Sequence, residues 1–96
     1  MLTDAFYNFR LYIYGKSAKS QVAVKTLEKI CTTFLAKRSR YEIVDLSEEP
    51  ERGRQDHIIA TPILIRLEPL PERRIIGDLS ETDKVLSALG LKPTRL

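Results

Sequence analysis

Two serines, Ser17 and Ser20, stand where an aromatic, apolar run gives way to a helical pattern, and Pro62 follows 42 residues after Ser20. Two cysteines in those places would exchange disulfides, because the thiolate is both nucleophile and leaving group. Serine cannot do this, so the pair reads as a helix cap and turn. The single cysteine, Cys31, falls on an apolar helical face, where a free thiol behaves as a small hydrophobe. His57 is the only histidine, so a histidine-based metal site has no second ligand, and the adjacent Asp56 does not share its helical face. Gly77-Asp78 lacks the further glycine and the Lys-Ser/Thr pair of a phosphate loop and reads as a tight turn plus cap. Arg73-Arg74 has the strongest claim on a partner, because arginine presents a planar fork of donors and is enriched at interfaces. A solvated edge charge that deters aggregation explains the pair equally well. The expectation is therefore binding without catalysis: no catalytic, cofactor-binding or metal-ligating residue is assigned.

Composition narrows the partners. Ninety-six residues suit one domain, expected to span 1–96, with 43% apolar and 30% charged residues. The net charge of +3 is spread evenly, and no run of Lys or Arg exceeds two. Nucleic acid is disfavoured, since phosphate binding needs clustered positive charge. The apolar runs are too short for a transmembrane helix. Met1 to Arg10 has neither the basic start nor the apolar centre of a secretory signal, and a lone cysteine suits a reducing compartment; a cytoplasmic location is expected.

The elements that must position these residues follow from periodicity. Residues 6–14 read as a strand with Phe9, Leu11 and Ile13 on one face and Tyr12 and Tyr14 on the other. Ala23, Leu27, Ile30 and Phe34 mark the buried stripe of a long helix, widened by Val24, Cys31 and Leu35. Tyr41 to Leu46 is a second strand, and a strand, helix and strand in succession imply a parallel pair. Ser47 is the expected cap of a short, weak helix that carries Pro50 in its first turn and Gly53 in its body. Thr61 to Arg66 and Arg73 to Gly77 are strands joined by a turn with two prolines. Ser80 to Leu89 is a last helix, with Ser80 and Asp83 as a capping box and Gly90 and Pro93 as its stop.

The order βαβαββα, with proline leading into the third strand, is that of an α/β thioredoxin-like fold. Proline there has no N–H to give a ladder and belongs at the start of a strand. Pro62 is expected to be cis, as it usually is in that fold.

Leu11-Tyr12-Ile13-Tyr14-Gly15, Lys25-Thr26-Leu27, Ile43-Val44-Asp45, Ile59-Ala60-Thr61-Pro62 and Arg73-Arg74-Ile75-Ile76-Gly77-Asp78-Leu79-Ser80 together resemble the KaiB family. The resemblance runs from about Phe9 to Leu89. It implies a non-enzymatic regulator that binds a KaiC-type ATPase, in a circadian or stress-related setting, and that sequesters KaiA where a full clock exists. It also implies two conformers: a tetrameric α+β ground state and a thioredoxin-like form that binds KaiC, sharing the first half of the chain and differing from about Pro50. The other reading is a redox-inactive thioredoxin-like adaptor that works with a histidine kinase. Self-association is compatible with either. On this resemblance Lys25, Arg73 and Arg74 are the expected partner contacts, and Pro62, Gly77, Asp78 and Ala88 the structural positions. The chain also departs from the clock pattern. Ala88-Leu89-Gly90 replaces Gly-Leu-Asp, Val22 replaces a basic residue, and Glu42 replaces a lysine. Alanine favours helix over glycine by about 1 kcal/mol, which makes the thioredoxin-like form the expected conformer, while Gly53 in the weak second helix pulls the other way by a similar amount.

Overall fold

The computed structural model describes residues 5–91. Seven elements follow in the order strand β1 (Tyr7–Ile13), helix α1 (Ala18–Lys29), β2 (Ser39–Asp45), α2 (Pro50–Gln55), β3 (Ile63–Glu68), β4 (Arg73–Ile76) and α3 (Thr82–Ala88). They form one four-stranded mixed sheet in the order β2-β1-β3-β4. β1 pairs parallel to β2, with Leu11 opposite Ile43, and antiparallel to β3, with Leu11 opposite Leu64. β4 adds as an antiparallel edge, with Arg73 opposite Arg66 and Ile76 opposite Ile63. This is the expected βαβαββα order, and the helical segment at Val85 and Leu86 identifies the thioredoxin-like conformer. The Thr61–Pro62, Glu68–Pro69 and Leu70–Pro71 peptide bonds are cis.

Strand alternation divides the core between the two sheet faces. On the first, Phe9, Leu11, Ile13 and Leu64 pack with Ala23, Leu27, Ile30, Cys31 and Leu35 and with Val85, Leu86 and Leu89. The second face carries a smaller cluster, Tyr12, Val44, Ile63 and Ile65, against which Leu46, Ile58 and Leu67 pack. Tyr12 is therefore core, while Tyr14 is exposed.

Several local expectations need correction. The first helix does not stay α to its end: it continues as a π-helical stretch over Ile30–Leu35 and stops at Ala36, whose φ is 52°. The wider turn brings Leu35 rather than Phe34 fully inward. Ser47 does not cap α2, because its N–H and hydroxyl both donate to Asp45 Oδ1, at 2.9 and 2.7 Å. The cap position falls on Glu49, which has no side-chain bond there, and Pro50 opens the helix as expected. Nor does Ser80 cap α3: its N–H donates to Asp78 Oδ1 at 3.0 Å, and the helix begins two residues later, at Thr82. β3 starts at Ile63 and runs on to Glu68. Gly90, at φ 83°, ends α3; its N–H bonds the Ser87 carbonyl and that of Leu91 the Leu86 carbonyl, which is a Schellman cap. Pro93 lies outside the described residues.

Candidate interaction surface

Ser17 is the N-cap of α1, and its Oγ accepts from the Ser20 N–H at 3.1 Å. The Ser17 hydroxyl also donates to Ser20 Oγ at 3.0 Å. The two serines thus satisfy each other and the first turn of the helix. Asp45, at the end of β2, accepts from the Gly15 N–H at 2.8 Å and from Ser47, and these bonds hold its carboxyl below the usual carboxylate range. It locks the loop between β1 and α1 onto β2.

Pro62 and Gly77 meet directly. Pro62 is buried, and its carbonyl accepts the Gly77 N–H at 2.9 Å, closing the mouth of the β3–β4 hairpin. Gly77 takes φ 123°, a region that a side chain opposes. Asp78 then turns the chain toward α3 through its bond to Ser80. Gly77, Asp78 and Ala88 come together along one groove of about 360 Å³, which Ile75, Ile76 and Lys84 also line. Of the four expected structural positions, three share this groove and the fourth is bonded to it through Gly77.

Arg73 and Arg74 point to opposite faces of β4, as alternation requires, and both are exposed because a four-residue edge strand has no cover. Arg74 Nε donates to Glu72 at 3.0 Å and its Nη1 to the Asp56 carbonyl at 3.0 Å. The Arg73 guanidinium has no side-chain partner among the described residues. Lys25 lies elsewhere. It borders a groove of about 340 Å³ on α1, beside Ile13 and Gly15, whereas Arg73 is level with Arg66 and Phe9. The three basic residues therefore occupy different levels of the sheet and form no single cluster. Exposed apolar groups flank the end at which β3 begins and β4 stops: Ile76 is 64% and Ile59 94% exposed.

Two polar arrangements escape sequence reasoning. Arg66, only 6% exposed, donates through Nη1 to the Leu89 carbonyl at 2.6 Å and through Nη2 to the Pro71 carbonyl at 2.8 Å. On the other face, Arg52 donates to both Glu42 oxygens, at 2.6 and 3.0 Å, and Arg10 Nε to Glu42 at 3.1 Å. Hydrogen bonding from Arg52 holds the Glu42 carboxyl down at about 2. Asp56 takes the Tyr12 hydroxyl at 2.5 Å and Arg10 Nη1 at 3.3 Å. The Tyr12 bond lowers the Asp56 pKa, while burial and the Asp56 charge raise that of Tyr12, so the proton stays on the phenol. The available signal was Glu42 itself, an acid where the resemblance implies a base. Its partners, 10 and 32 residues away in the chain, were not readable.

The family model described as KaiB domain matches residues 10–91. A circadian clock protein, KaiB3 of Synechocystis, is 44% identical over 87 residues, which is 91% of this chain and 85% of that protein. The circadian clock oscillator protein KaiB of Synechococcus elongatus is 40% identical over 85 residues, 88% of this chain and 83% of the relative. Among solved structures, the N-terminal domain of Synechococcus elongatus SasA superimposes with a TM-score of 0.70 at 15% identity, over 100% of this chain and 94% of that one. This last likeness concerns the fold alone.

Proposed function

The chain belongs to the KaiB family, and on that premise we propose that it is a non-enzymatic regulator that docks on a KaiC-type ATPase and modulates its signalling. The observation that carries this reading is the family match over residues 10–91, which takes in the whole Arg73-to-Ser80 segment. In the structure that segment runs from the exposed edge strand into the groove leading to α3. Arg73 offers a guanidinium with no partner among the described residues at the start of β4, and Ile76 an exposed apolar group at the end of that strand, on the opposite face. An arginine fork and an exposed apolar group along one uncovered edge strand fit the composition of an interface. The serines that replace a redox pair satisfy one another, which favours binding over thiol chemistry. Lys25 is a second contact on this reading, reached by a partner broad enough to span from the sheet edge to α1. KaiA or a histidine kinase would compete for or share the surface.

Co-elution with the cognate KaiC-type ATPase after long incubation with ATP tests the proposal. A stable complex is expected, weakened about 5- to 30-fold by Arg73→Ala, the range for truncating an interface arginine. Absence of a complex at micromolar concentrations, or a complex with a histidine kinase in its place, would overturn it.

A further inference from the structure

Helix α2 joins the fold without an apolar anchor. None of its residues from Pro50 to Gln55 belongs to either apolar cluster. Its one buried residue is Gly53, and a Cβ there would come within 3.0 Å of Leu46 Cδ1, so the helix backbone rests on that side chain. The residues flanking the helix do the covering: Leu46 before it and Ile58 after it pack on Tyr12, Val44, Ile63 and Ile65.

Charge fixes what apolar contact does not. At the first turn, Arg52 closes on Glu42 of β2 through its two terminal nitrogens. At the other end, the C-cap Asp56 takes the Tyr12 hydroxyl and Arg10 Nη1, both from β1. Arg10 also reaches Glu42, which joins the two catches. From β4, Arg74 Nη1 donates to the Asp56 carbonyl. The bonds to Glu42 are exposed, with the Glu42 and Arg52 side chains 47% and 29% exposed, so dissolved ions can reach them, whereas the bonds to the Asp56 carboxylate are part-buried.

We infer that the segment from Ser47 to Ile58 is a lid held by this ionic latch, and that it opens as a unit while β1, β3 and β4 stay paired. Opening bares the Tyr12, Val44, Ile63 and Ile65 face. Bidentate arginine–carboxylate pairs at part-exposed sites weaken as salt screens them, whereas buried ladder bonds do not. A cooperative unit with few apolar contacts opens at lower free energy than the core strands. The inference does not depend on the identity of the partner.

Amide hydrogen exchange on the whole chain at low and at 1 M NaCl tests it. The Asp56, His57 and Ile58 amides, bonded within the lid, are expected to exchange roughly tenfold faster in high salt. The amides of Leu11 and Leu64 are expected to keep their rates. Glu42→Gln should raise the lid rates at low salt and remove most of their salt dependence. Arg52→Gln should raise the same rates, and the double variant with Glu42→Gln should exchange no faster than either single one, which separates loss of the latch from general damage. Lid amides that exchange in step with Leu11 and Leu64 at every salt concentration, or that ignore Glu42→Gln, would overturn the inference.

Discussion

Arg66 occupies a position that alternation along β3 assigns to the first core face, next inward after Leu64. A charge is tolerated there because two carbonyls await it. That of Leu89 belongs to the last turn of α3, where helix carbonyls lack partners and positive charge is favoured; that of Pro71 belongs to the turn before β4. One side chain therefore ties β3, the proline turn and α3 together. Arg66→Met keeps the stem but strands both carbonyls. It should cost about 2–3 kcal/mol in urea denaturation, with Arg66→Lys in between, since an ammonium cannot span both acceptors as a fork does. A loss below about 0.5 kcal/mol, the range of an ordinary surface change, would show that the clasp is dispensable. Sequence reading singled out Arg73 and Arg74 and passed over Arg66. Pattern identifies which residues are charged, but the burial of this one depends on where α3 ends, 23 residues further along.

Among the elements, α2 is one whose attachment should follow pH. The folded Glu42 carboxyl sits at about 2, below its ordinary value of 4.5, because Arg52 hydrogen-bonds the charged form. A carboxylate depressed on folding contributes stability that is complete above its unfolded pKa and is lost as pH falls through the folded one. The window therefore runs from about 4.5 down to about 2, and Asp56, also depressed, adds to the same slope. Solvent screening at this part-exposed site keeps the effect shallow. The urea midpoint should be level between about pH 5 and 8 and fall below about 4, with Glu42→Gln reducing the fall; an equal fall in the variant would remove Glu42 from the account. Much of the element pattern was legible. Ser17, Pro50 and Gly90 mark boundaries through their own backbone chemistry, and those assignments held. Ser47 and Ser80 resemble caps equally well, but in each an aspartate two residues earlier captures the serine N–H. The π-helical stretch left no trace in the apolar spacing, because Phe34 and Leu35 are both hydrophobic and either could face inward.

For the molecule as a whole, the parallel β1–β2 pair followed from topology rules and the order β2-β1-β3-β4 came from the structure, whereas the choice between conformers rested on Ala88. That residue ends α3 and is exposed, so its contribution is chiefly helix propensity. Ala88→Gly should weaken α3 by about 1 kcal/mol. If the family's second conformer is accessible to this chain, that moves the ratio about fivefold toward it. Size-exclusion chromatography with amide NMR would read the shift as growth of a larger species, and a spectrum unchanged by the substitution would mean that Ala88 does not set the balance. The sheet order has a separate consequence for synthesis. β1 lies in the middle of the sheet, yet its antiparallel neighbour β3 follows only after both α1 and α2. On the ribosome, β1, α1 and β2 therefore emerge as a half-built sheet, with one flank of β1 bare of hydrogen-bonding partners until Ile63–Glu68 arrives. That interval is when a nascent chain is most open to pairing with the wrong strand.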